Sequence, residues 1–147
     1  MSLTFRANRA PASDVSDRLP LRTAEWVLDA DAESVRAARV LVRSSLRRWG
    51  AGTLVDDCSL IVSELVTNAI RHGGTAFSLK IGCDGSWVYG EVYDHGDGLP
   101  CAGAGDLDAT DGRGLLIVGM LADDWGVVPE RGGGKTVWFI TGHHGSP

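Results

Sequence analysis

The chain has 147 residues, 44% of them hydrophobic and 22% charged, enough for one domain with a substantial apolar core. Fourteen basic against nineteen acidic residues leave a formal charge of −5, which argues against a general nucleic-acid coat or an anionic membrane surface as partner. No apolar run is long enough to span a bilayer. Three cysteines without a CxxC pair argue against a disulfide framework or a zinc site and fit a reducing cytoplasm.

Residues 1–18 are polar and aperiodic and read as a flexible leader without the apolar core of a signal peptide; residues 142–147 read as a flexible tail. Between them, 19–141 form the expected domain. "RLPLRTAEWVLDA" is expected as a first strand. In "DAESVRAARVLVRSSLRRWG", Val35, Ala38, Val42, Leu46 and Trp49 keep helical spacing, Asp31 is placed to cap, and Gly50 to stop. A second helix is expected from a Thr53–Asp56 capping box to Gly73-Gly74. "AFSLKIGC" alternates as a strand with Phe77, Leu79, Ile81 and Cys83 on one face, and an Asp-Gly turn returns it as "SWVYGEVYD". "GLLIVGMLADD" reads as a third helix, and "WGVVPERGGGKTVWFI" as a closing hairpin. This order, β, α, α, β, β, α, β, β, implies an α/β two-layer sandwich: a mixed, mostly antiparallel sheet with its helices on one face.

The chain has twenty glycines, clustered after Gly82, where backbone must turn tightly or lie close to a ligand. "GGGKT" ends like a phosphate-binding loop, but position 129 is Pro and a strand follows Lys135, so a hairpin turn is expected instead. "GRGLL" fails the dinucleotide fingerprint, since no strand leads directly into it.

On the second helix, Val62, Leu65, Val66 and Ala69 form an apolar face, and Glu64, Asn68 and His72 run along its flank. Alone, such a pair of Glu and Asn is an ordinary solvated helix edge. It is also a neutral oxygen for a metal beside a carboxylate able to take a proton. Asp94 ends a strand in "VYDHGDGLP", where a carboxylate can accept from an exocyclic amino group and Gly96 and Gly98 let a flat base come close. "DGRGLLIVG" then opens a helix whose amides and dipole suit phosphate.

In that order, "ELVTNA", "DHGDG" and "GRGL" resemble the N box and the two glycine boxes of the GHKL superfamily of ATP-binding domains, and "GKTVWF" resembles its late strand with a base-contacting Thr. "SELVTNAIRHGG" with "DWGV" is most similar to the small stand-alone anti-sigma-factor serine/threonine kinases and their actinobacterial relatives. The resemblance implies Glu64 as catalytic base and Asn68 as ligand of Mg²⁺. It implies Asp94 as the adenine reader and Thr136 as a second contact to the base. Gly96, Gly98, Gly112, Arg113, Gly114 and Leu115 would shape the pocket and phosphate cradle, with Arg71 and His72 beside them.

The cofactors so implied are ATP and Mg²⁺; the implied partners are a sigma factor or a small antagonist protein, which the kinase would phosphorylate in a partner switch. Two other readings stay open: a sequestration module that binds ATP with little catalysis, and a detached histidine-kinase catalytic domain. The segment from Asp94 to Arg113 carries Asp97, Asp106, Asp108 and Asp111 and no Lys or Arg, so Mg²⁺, Arg113, Arg71 and the helix dipole must offset repulsion of a triphosphate. Asp111 is also placed to cap the third helix.

Arg36, Arg39, Arg43 and Arg47 line one side of the first helix as a solvated face or a dock for an acidic partner. If Asp94 faces the ligand, Val88, Gly90 and Val92 share its face, and Trp87, Tyr89, Glu91 and Tyr93 point to the side without helices. That side is expected to be a homodimer or partner surface, or to be covered by the N-terminal segment.

Overall fold

A computed structural model describes residues 21–96 and 109–142, with side chains throughout except at 109–114. The elements are β1 (Arg22–Leu28), α1 (Glu33–Arg48), α2 (Val55–Gly73), β2 (Phe77–Cys83), β3 (Trp87–Asp94), α3 (Ala109–Leu121), β4 (Asp124–Pro129) and β5 (Lys135–Gly142). Their order is the expected one. The five strands form one sheet, β1-β2-β3-β5-β4, in which every pairing is antiparallel rather than mixed.

Local chemistry sets the ends of the elements. Asp31 Oδ1 accepts from the Ser34 backbone N–H at 3.2 Å, satisfying one of the orphan donors at the start of α1. At its end Gly50 takes φ +82°, and Ala51 N–H donates to Leu46 O at 2.8 Å while Gly50 N–H donates to Arg47 O, the pairing of a Schellman stop. Helix α2 opens through a 3₁₀ turn, Gly52–Leu54, with Leu54 rather than Thr53 at the cap position. Gly74, with φ +69°, closes it.

Between β2 and β3, Asp84 Oδ1 accepts from both Ser86 N–H and Trp87 N–H, at 3.0 and 2.7 Å, and Gly85 supplies the positive φ. The "GGGKT" segment is a hairpin turn as expected: Gly133 and Gly134 have φ +103° and +85°, and Glu130 N–H donates to Gly134 O.

Helix α3 departs from expectation at both ends. It begins at Ala109 rather than Gly114, so Asp111 lies inside the helix and does not cap it. It stops at Leu121, and Asp124 already belongs to β4. Asp123, between the two, accepts from Gly142 N–H at 2.7 Å and ties the start of β4 to the end of β5.

The core lies between the sheet and α2, which also packs against α1 and α3. This is why α2 buries far more than one stripe: Val55, Cys58, Ile61, Val62, Leu65, Val66 and Ala69 are all enclosed. Phe77, Leu79, Ile81 and Cys83 of β2 meet it from the sheet, as their alternation requires. Val88, Val92 and Asp94 of β3 share that buried face. No helix among the described residues is long and apolar enough to cross a membrane.

Candidate functional site

The site gathers where α2 ends over the end of β3. Gly73, the last residue of α2, sits so close to Asp94 that a methyl group added there would lie 3.1 Å from the Asp94 Cβ. Gly96 fits beneath the helix end only because it lacks a side chain; a Cβ would overlap the His72 carbonyl. Gly134 of the closing hairpin plays the same part from the other side, against the Asp94 carbonyl. Asp94 is thereby enclosed by three glycines from three segments, and it is 1% exposed.

Its carboxylate is already engaged. Asp94 Oδ1 accepts from Gly96 N–H at 2.8 Å, which folds the chain back after the strand, and from Lys135 Nζ at 3.0 Å. Lys135 is completely buried. The two residues are direct register partners across β3 and β5 and form an ion pair on the helix-covered face.

That register also places Thr136. Successive strand residues point to opposite faces. With Lys135 beside Asp94, Thr136 must lie on the far side of the sheet. There it pairs with Tyr93 in register and donates to Glu130 Oε2 at 2.6 Å. It lines an open depression of about 920 Å³ together with Glu25, Lys80 and Glu91. The pleat puts Thr136 on the face opposite Asp94, and the late-strand side chain beside Asp94 is Lys135.

On α2, Glu64 is half-buried and Asn68 is 5% exposed. Asn68 Oδ1 is buried with no hydrogen-bond partner among the described residues. A buried amide oxygen left so costs about 1–3 kcal/mol in desolvation. An unfilled acceptor of this kind suits a hard cation, which takes neutral carbonyl oxygens as ligands. Arg71 is exposed and His72 half-buried on the last turn.

Leu115 is buried on α3, which packs against α2. Gly112, Arg113 and Gly114 fall in the first turns of that helix, with their side chains outside the described set. Gly98 and the acidic residues Asp97, Asp106 and Asp108 lie outside the described residues. The structure thus brings together Asp94, Gly96, Lys135 and the end of α2, with Glu64 and Asn68 on the preceding turns of the same helix.

The site is rich in ionisable groups but holds no group of three or more metal-ligating side chains among the described residues. A metal here would take its remaining ligands from water and phosphate, as Mg²⁺ commonly does. Asn68 and Glu64 fit that chemistry.

No curated protein matches the chain. Among solved structures it is similar to the crystal structure of the RsbU and RsbW domains of Rv1364c from Mycobacterium tuberculosis, with 22% identity and a TM-score of 0.63. The match covers 82% of this chain and 32% of that one, so the chain spans about a third of that protein's length, and the likeness is one of fold. The model of the histidine kinase-like ATPase domain matches residues 28–141, from the end of β1 through β5 and across every element of the site. With that match over most of its length, the protein belongs to the histidine kinase-like ATPase domain family.

Proposed function

We propose that the protein is an ATP-binding regulator acting in the cytoplasm, a serine/threonine protein kinase and anti-sigma factor that phosphorylates a small antagonist protein in a partner switch. The observation that carries the ATP site is the buried Oδ1 of Asn68, without a partner among the described residues, one helical turn from Glu64 on the helix whose end rests on Asp94. Family membership and the fold shared with a structure containing an RsbW domain support the reading.

In it, Asp94 accepts a hydrogen bond from the amino group of adenine, and Gly96 and Gly98 give the base room. Asn68 holds Mg²⁺, and Arg71, His72, Arg113 and the start of α3, with Gly112, Gly114 and Leu115, face the phosphates. Bound Mg-ATP supplies a phosphoryl group with part of its charge neutralised. Glu64, half-buried and so partly shielded from water, takes the proton from a substrate Ser or Thr hydroxyl.

The test is calorimetric titration with ATP, with and without Mg²⁺, followed by transfer of labelled γ-phosphate to proteins in an extract of the source organism. Micromolar, Mg²⁺-dependent affinity is expected, with acid-stable phosphate on a target. Glu64→Ala should keep the affinity within about threefold and lower transfer by a hundredfold or more, the scale of a general base. Acid-labile phosphate would identify a histidine kinase instead. Binding without any transfer would leave a sequestration module.

A further inference from the structure

We infer that Lys135 is a second base-reading residue, whose ammonium donates to the ring nitrogen adjacent to the amino group that Asp94 accepts. The inference rests on the adenine site proposed above and adds to it the residue that fixes which base edge is read.

A buried ion pair is a poor device for stability alone, because an apolar pair of the same volume commonly does as well or better. Here both partners are buried side by side at the end of two paired strands. Among the described residues neither uses all its hydrogen-bonding capacity. An ammonium has three donors, and Asp94 Oδ1 is the one acceptor that Lys135 meets among the described residues. Among the described residues Asp94 receives its bonds from Lys135 and from Gly96 N–H, both on Oδ1 and none on Oδ2. The pair therefore presents an acceptor oxygen and a donor nitrogen next to one another.

The polarity of the two is fixed. An ionised carboxylate only accepts and an ammonium only donates, whereas a hydroxyl can reverse its role. Adenine has an exocyclic N–H beside a ring acceptor, N1, and matches the pair. Guanine has the opposite polarity on the same edge, O6 and N1–H, and would set an acceptor against the carboxylate and a donor against the ammonium. Asp94 alone disfavours guanine at one atom; with Lys135 the mismatch falls at two. Gly134 lets this happen, since its lack of a side chain brings the hairpin carrying Lys135 against the Asp94 backbone.

The experiment is a titration of the full chain, in Mg²⁺, with ATP, 1-deaza-ATP, 7-deaza-ATP and GTP. Losing the ring acceptor should weaken 1-deaza-ATP by roughly tenfold to a hundredfold, the worth of a hydrogen bond to a charged group. 7-Deaza-ATP, altered on the opposite side of the base, should bind like ATP. In Lys135→Met the gap between ATP and 1-deaza-ATP should close to within about threefold. If that variant does not fold, the wild-type series decides alone. ATP binding with equal affinity for 1-deaza-ATP would overturn the role of Lys135 and leave Asp94 as base reader. GTP binding as tightly as ATP would overturn the fixed polarity. Absence of ATP binding would sink the nucleotide site itself, and this inference with it.

Discussion

In the proposed site, Asp94 and Lys135 would couple stability to recognition. Removing either partner strands the other charge in the core, which costs about 3–5 kcal/mol in comparable buried pairs. Asp94→Ala should therefore lower the urea midpoint sharply, and Asp94→Leu combined with Lys135→Met should recover most of that loss while abolishing ATP binding. A double variant as unstable as the single ones would show that packing, not the stranded charge, is responsible. Asp94 and Asn68 could be singled out as candidates from sequence because each stands at a recognisable place, a strand end before alternate glycines and a helix flank. Lys135 could not be found the same way. Its position depends on which residue of β5 pairs with Asp94, and a slip of one residue exchanges the two faces. Resemblance pointed to Thr136, one residue along and on the face opposite Asp94.

Among the elements, the helix stops and hairpin turns were legible because Gly50, Gly74 and Asp84-Gly85 act through their own backbone preferences. The start of α3 was not, because "ATDG" carries no apolar period to announce a helix. The sheet also pairs aromatic rings with glycines across strands. Phe139 lies over Gly90, Trp138 over Gly126 and Trp87 over Gly142, each a register pair. These glycines are room for rings rather than hinges, except that the first faces the helices and the other two the opposite side. Gly90→Ala should cost about 1–3 kcal/mol in chemical denaturation through overpacking. Gly74→Ala, with open space around it but φ +69°, should cost only about 1 kcal/mol through backbone strain. Equal costs would contradict this division between crowding and conformation.

The layered architecture explains the pH response expected of the fold. Cys58 on α2 is pushed up to about 12 from an ordinary 9.0, chiefly by burial, with Asp57 and Cys83 adding to it. Burial raises Cys83 as well, the bond from Gly85 N–H opposing it. An unfolded chain ionises these thiols near 9, while the folded chain holds them neutral. Their contribution to stability is complete below pH 9 and is lost as pH rises towards 12. Thermal melts between pH 8 and 11 should show falling stability above 9, with a shallower fall in Cys58→Val; parallel curves would refute the assignment.

The other side of the sheet carries Trp87, Tyr89, Glu91 and Tyr93, as parity required, and also the buried Trp138 and Thr136. Tyr89 donates to Glu91 on this side, and Lys80 stands between Glu25 and Glu91 in register. On α1, Arg36, Arg39 and Arg47 are exposed and Arg43 pairs with Asp56 at 3.2 Å, a surface bond of small energetic weight. The expected flexible leader, and any cover it gives the sheet, falls outside the described residues, as does the tail beyond Gly142.

Read from the chain alone, the periods of 3.6 and 2, the glycine stops and the motif order already specify the three helices, the strands, the two-layer plan and the candidate roles of Glu64, Asn68 and Asp94. These are local signals, set by each residue's own geometry and its neighbours within a turn or a pleat. The strand order, the burial of Asn68 and the pairing of Asp94 with Lys135 depend on residues 41 positions apart meeting across a sheet. No local preference encodes that meeting. It is decided when hydrophobic burial brings β5 in beside β3 and the pleat then chooses which side chain faces the carboxylate.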